Sequence, residues 1–187
     1  GDATERLALY AQLDFNGSTG AADFSLQMRD LYADIALDKS KAFRVRLGQS
    51  KVPFGWVNMQ SSQNRAALER PEAINSAVEG ERDYGAYLMW ASPEARRRFR
   101  DLVGQGLKGS GDYGVLSVGA YNGQGLNRPD LNGDPHLVVR GSYPFKLASG
   151  QYFELGAQAY HGTYVAATQA ITANGASWLY FSSSAGS

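Results

Sequence analysis

The sequence predicts an all-β protein, an antiparallel membrane β-barrel built from short, separately weak strands. Three observations carry that expectation. Apolar residues alternate with polar ones over stretches of about ten residues, the length of a strand that crosses a bilayer. The chain has 22 glycines and 11 tyrosines in 187 residues, a β-rich composition broken by many turns. The longest apolar runs fall far short of the ~20 residues that a spanning helix needs.

The first strand is the clearest. Leu7, Leu9, Ala11, Leu13 and Phe15 take one face, and Tyr10, Gln12, Asp14 and Asn16 the other. Gly17-Ser18-Thr19-Gly20 ends it. The second runs from about Asp23 to Asp38. Phe24, Leu26 and Met28 share a face, then the phase slips by one and Leu31, Ala33, Ile35 and Leu37 continue it. Such a slip predicts a β-bulge near Arg29-Asp30. Asp38-Lys39-Ser40-Lys41 reads as a tight turn.

The third strand, "FRVRLGQSK", sets Phe43, Val45 and Leu47 against Arg44 and Arg46. A long interruption follows from about Pro53 to Arg82, with helical composition over Arg65 to Arg70 and a break at Pro71. Loops of this length are usually functional or mobile. Four more strands are expected around "DYGAYLMWA", "YGVLSVGAYN", "HLVVRGSYPF" and "QYFELGAQAYHG", with a short eighth at Ser177 to Phe181. The joins at Asp38-Lys41 and Lys146-Gly150 are short, whereas those at Pro53-Arg82 and Asn122-Pro135 are long. Short turns at one rim and long loops at the other describe an outer-membrane barrel. The arginine-rich join Ser92-Ser110 departs from that pattern and reads as a short amphipathic helix or an extended turn.

The faces opposite the apolar ones mix Gly, Ser, Gln and Tyr with isolated charges, which suits a confined aqueous lumen. Phe15, Trp56, Trp90, Tyr143 and Phe145 fall near strand ends, as an aromatic girdle requires. Alternation turns Arg29, Arg44, Arg46 and Arg140 inward, together with Asp14, Asp30, Asp34 and Glu154. Each of these arginines has a plain reading as a lumen charge paired with a neighbouring carboxylate.

Other chemistries find no support. The 18 basic and 18 acidic residues balance, giving no basic footprint for nucleic acid. There are no cysteines, hence no disulfide framework and no thiolate metal site. "GQGLKG" from Gly104 lacks the strand before and helix after that a dinucleotide site requires. "DLNGD" from Asp130 has Pro135 where a calcium loop needs glycine, and reads as a polar turn. His136 and His161 have no second ligand nearby in sequence. No catalytic pattern occurs, so an enzyme is not expected and no cofactor is implied.

Three segments in order carry a resemblance. "RVRLGQSKVPFGW" has the form G-Q-x-K-x-P-F-G after a strand, and Glu69-Arg70 lie in the loop that follows. "RDYGAYLMW" opens the next strand with R-D-x-G, and "YGVLSVGAYNGQGLNRPDLNGDP" contains G-x-x-N-G-x-G-x-N. Over roughly residues 24–160 the chain resembles the phosphate-selective porin O/P family of Gram-negative bacteria. The resemblance implies a sixteen-stranded barrel, a homotrimer set in outer-membrane lipid and lipopolysaccharide, and passive passage of small anionic or neutral solutes. Residues 1–187 would then be one barrel domain supplying seven or eight strands, a middle portion of the whole. The 53–82 segment would fold inward as a constriction loop, with Arg65, Glu69 and Arg70 as its charged candidates. Guanidinium groups match phosphate oxygens with forked donors, so inward arginines would favour anions such as phosphate. A structural barrel, a scaffold or sheath in an envelope complex, is the second reading. A soluble β-barrel binding protein is the third, and it requires Leu9, Leu13, Val45, Leu116 and Leu155 to face one protein core.

Overall fold

The computed structural model describes residues 3–17, 24–60, 78, 80–107, 109–163, 169–173 and 176–180. Nine strands occur among them: β1 (Leu7–Gly17), β2 (Phe24–Ala36), β3 (Phe43–Lys51), β4 (Arg82–Trp90), β5 (Leu116–Tyr121), β6 (His136–Lys146), β7 (Tyr152–His161), β8 (Gln169–Ala173) and β9 (Ala176–Tyr180). The first seven form one antiparallel sheet in sequence order. β8 and β9 pair as a separate hairpin. The short eighth strand expected from the sequence thus has a partner before it, at Gln169–Ala173. The meander is open: β1 and β7 do not pair with each other. It is a partial antiparallel barrel wall, as the period-two patterning predicts.

The bulge stands where the phase slip put it. Gln12 pairs with Asp30 and Leu13 with Met28, so Arg29 is the extra residue on β2. The slip keeps the apolar side of β2 in phase with β1 on both halves of the strand.

The two faces of the sheet are opposite in character. Leu9, Phe15, Leu26, Leu116, Val139 and Leu155 lie on one face and are exposed, Leu9 at 77% and Leu155 at 61%. The other face carries Asp30, Arg44, Arg46, Tyr87, Ser117, Arg140 and Ser142, all buried. A soluble sheet buries its apolar side; here the polar side is covered and the apolar side is bare. That inversion is the arrangement of a lipid-facing wall, and Leu9, Leu13, Leu116 and Leu155 are too exposed to share a protein core. Phe43 and Trp90 (6.4 Å between ring centres), Tyr143 and Phe145 (4.7 Å), and Phe145 and Phe153 (6.5 Å) form an aromatic row at the short-turn rim. Trp56, which its sequence position assigned to the girdle, does not belong to it. It starts a short helix, α1 (Trp56–Met59), held over the polar face.

The arginine-rich join is the helix α2 (Pro93–Gly104). Pro93 sits in the first turn, and the Ser92 hydroxyl accepts the Ala95 amide at 3.2 Å as an N-cap. Ala95, Phe99 and Leu102 form its buried face. Gly106, at φ 67°, ends it, and the Leu107 amide donates back to the Leu102 carbonyl at 2.9 Å.

Candidate functional site

The candidate site is the polar face of the sheet and the two chain segments that cross it. One comes from the long-loop rim and begins at Val52; the other descends from α2 and runs through 109–114. Each is bound to the wall by charged or amide side chains.

The four arginines that alternation turns inward, Arg29, Arg44, Arg46 and Arg140, each have an acidic partner. Arg46 makes a forked pair with Asp34, Nε to Oδ1 at 2.7 Å and Nη2 to Oδ2 at 2.8 Å, and its guanidinium lies 4.0 Å from the Tyr32 ring centre. The pairing follows from register, since Asp34 stands opposite Arg46 across β2 and β3. Arg44 donates to Asp112 at 2.7 Å, and Arg96 of α2 donates to the other oxygen of that carboxylate at 2.9 Å. Arg140, 3% exposed, donates to Ser110 Oγ at 2.7 Å and to Glu154 at 3.2 Å. Arg29, on the bulge, is the looser case, 3.8 Å from Asp14 with both side chains partly exposed. Arg65, Glu69 and Arg70 lie outside the described residues.

Sequence reasoning passed over Arg82 and Lys51, which the fold makes central. Arg82 donates through Nε to both oxygens of Asp30 (3.0 and 3.1 Å) and through Nη1 to Glu81 at 3.0 Å. Lys51 donates to the carbonyls of Asn58 at 2.9 Å and Gln60 at 2.7 Å, and stands 3.4 Å from Glu81. The available signal was the K in the G-Q-x-K run, which ends β3 at the mouth of the long interruption.

Glu154 gathers both crossing segments. Its oxygens accept from Ser142 Oγ at 2.6 Å, from the Ser110 amide at 3.1 Å and hydroxyl, from Arg140, and from Trp56 Nε1 at 3.2 Å. Gln158, four residues further along β7 on the same face, accepts the Gly55 amide at 2.9 Å. Beside them an open cavity of about 460 Å³ is lined by Trp56, Met59, Arg140, Ser142, Glu154 and Gln158.

The motif residues also have defined tasks. Gln49 donates its amide to the carbonyls of Met28 (2.9 Å) and Arg29 (3.1 Å), beside the bulge and just past the last β2–β3 pair, Leu31 with Gln49. Asp83 of R-D-x-G accepts from the amides of Gly123 (2.7 Å) and Gly125 (3.1 Å) in N-G-x-G. Two of the recognisable motifs are therefore one structural unit. In "DLNGD", Asp130 accepts the Asn132 and Gly133 amides at 3.1 and 2.9 Å, and Asn132 accepts the Asp134 amide at 3.0 Å. Those oxygens serve a turn, and no cluster of metal-ligating side chains occurs among the described residues.

What the wall can do chemically follows from this pairing. Tyr87, Tyr121, Ser117, Asn58 and Gln124 each have a buried polar side-chain atom with no protein hydrogen-bond partner. Uncharged donors and acceptors in that state suit a hydrated surface. The arginines of the polar face each lie against a carboxylate, with Arg44 and Arg96 sharing Asp112, so the wall offers hydrogen bonds more than a one-signed field.

No curated protein and no solved structure matches the chain. The family model of phosphate-selective porin O and P matches residues 1–177, nearly the whole of it. With an uncovered apolar face, a paired polar face and a match of that extent, the chain belongs to the phosphate-selective porin O and P family.

Proposed function

We propose that the chain forms part of the wall of an outer-membrane diffusion pore that passes small hydrophilic solutes passively. The observation that carries this reading is the inversion of the sheet, with bare leucines on one face and buried, hydrogen-bonded polar groups on the other. A constriction at the 53–82 segment is supported by its described root, residues 53–60, which lies across the polar face and reaches β7 through Gly55 and Trp56. Solutes are filtered by the space left beside that root and by the charge of the lining.

A preference for phosphate is the finer reading, supported by the family's description and by the forked donors of Arg44, Arg46 and Arg140. Against it, those arginines are paired with Asp112, Asp34 and Glu154. A neutral, size-filtering lumen accounts better for the described groups.

Single-channel conductance of the full-length protein in a planar bilayer, in chloride with phosphate titrated in, tests both readings. Stable open steps that ignore phosphate are expected. Block of the chloride current by low phosphate would instead make the arginines solute ligands. Absence of steps from a folded, detergent-soluble barrel would overturn the pore and favour the structural scaffold.

A further inference from the structure

We propose that Lys51 is a positioning residue for the pore, a cationic clip that holds the root of the constriction segment against the wall and so sets the aperture. This rests on the pore reading above. An ammonium has three donors on a flexible stem and a large cost if buried without acceptors. Lys51 is 12% exposed, and its Nζ is committed to the Asn58 and Gln60 carbonyls, with Glu81 at 3.4 Å. A side chain so engaged is not presented to solutes.

The clip belongs to a longer chain of charges. Glu81 also receives Arg82, and Arg82 is bound by Asp30 on β2. The two ends of the interruption meet here, because the Val52 amide donates to the Glu81 carbonyl at 3.0 Å. Glu81 has φ 70°, an uncommon backbone state for a residue with a side chain, and one that persists only where the surroundings hold it. Asp30, Arg82, Glu81 and Lys51 thus lock the exit and entry of the segment together. From that lock the root extends to β7, four strands along the sheet, where Gln158 accepts the Gly55 amide and Glu154 accepts Trp56 Nε1. A single turn such as α1 does not hold its place by its own backbone hydrogen bonds, and Lys51 supplies the anchor at its C-terminal end, where the contacts to β7 through Gly55 and Trp56 do not reach.

The test compares Lys51→Met and Lys51→Arg with wild type in the full-length protein. Lys51→Met keeps the stem and removes the donors. Its open-channel conductance in potassium chloride should rise about twofold and its exclusion limit for uncharged polymers should move to larger sizes, with the anion-to-cation permeability ratio unchanged. Lys51→Arg, which retains the charge and several donors, should return toward wild type. A changed permeability ratio at constant conductance would make Lys51 a lumen cation and overturn the clip. A second readout does not depend on conduction. With every tryptophan of the protein other than Trp56 replaced by Phe, Trp90 and Trp178 among them, acrylamide quenching of Trp56 should increase about twofold in Lys51→Met, as the root leaves Glu154. Unchanged quenching would overturn the clip even in a wild type that conducts, whereas a wild type without steps would overturn only the pore.

Discussion

The carboxylate of Asp83 and the amide of Gly123 are joined across the wall. Asp83 Oδ2 accepts from Gly123 at 2.7 Å and from Gly125 at 3.1 Å, while Oδ1 accepts from Tyr84 at 2.8 Å. The β4 entry and the turn after β5 are thereby one unit. Gly123 has φ +86°, and a Cβ there would lie 2.3 Å from the His136 ring, so the turn admits no side chain. Asp83→Ala leaves three amides without their acceptor and should cost about 2–3 kcal/mol. Urea midpoints of the barrel in detergent check it. Asp83→Asn, which keeps one acceptor oxygen, should recover part of the loss.

Gly48 has a second strict requirement. At φ +119° its missing Cβ would lie 2.3 Å from the Leu31 carbonyl oxygen on β2. Backbone in a ladder cannot step aside as a flexible side chain can. Gly48→Ala should therefore destabilise by more than about 3 kcal/mol or abolish assembly. Gly133→Ala is the control: φ is +71°, but nothing lies within 4 Å, so only the conformational cost of about 1 kcal/mol is expected. Heat-modifiable gel migration compares the two directly.

Asp34 neutralises Arg46 through two hydrogen bonds. Asp34→Asn removes the charge and leaves the guanidinium uncompensated on the lumen side. The reversal potential in a potassium chloride gradient should move toward anions, and stability should fall by about 3 kcal/mol. The double variant Asp34→Asn, Arg46→Gln should restore the wild-type reversal potential. A single variant with unchanged selectivity would show that Arg46 does not face the solute path.

Leu155 is 61% exposed on the face read as lipid-contacting. Leu155→Arg should weaken folding into vesicles by about 2–4 kcal/mol, the cost of a basic side chain at depth in a barrel wall. Leu147→Arg, beyond the end of β6 in the short turn, should change little. In a soluble protein both changes would be harmless or would raise solubility.

The short turn after β2 has its own acid. Asp38 accepts from the Ser40 hydroxyl and from the Phe43 amide at 2.8 Å, which hold its carboxyl down to about 2. Because the folded value lies below the unfolded one of about 3.9, its stabilisation is complete above the unfolded value and is lost as pH falls through about 2. The carboxyl carbon resonance of Asp38 should titrate near the lower figure, and Ser40→Ala should raise it.

Much of the wall was legible from residue order. Period-two alternation placed Leu9, Leu116 and Leu155 on one face because a strand turns successive side chains to opposite sides. The slip after Met28 announced the bulge for the same reason. The inward arginines and inward carboxylates were also readable, but their pairing was not. Arg46 meets Asp34 because of the β2–β3 register, and Arg44 meets Asp112 only because the chain after α2 folds back over the sheet.

The sequence by itself determined the strands, the two faces and the family motifs, since these depend on local spacing and on the chemistry of each residue. The tertiary structure decided what the motifs do. Gln49 finds the bulge carbonyls, Lys51 finds the loop root, Asp83 finds the glycine amides and Glu154 finds Trp56, across separations of 20, 7, 40 and 98 residues. Hydrogen bonds and ion pairs act over a few ångströms, and only the folded register brings their partners within that reach.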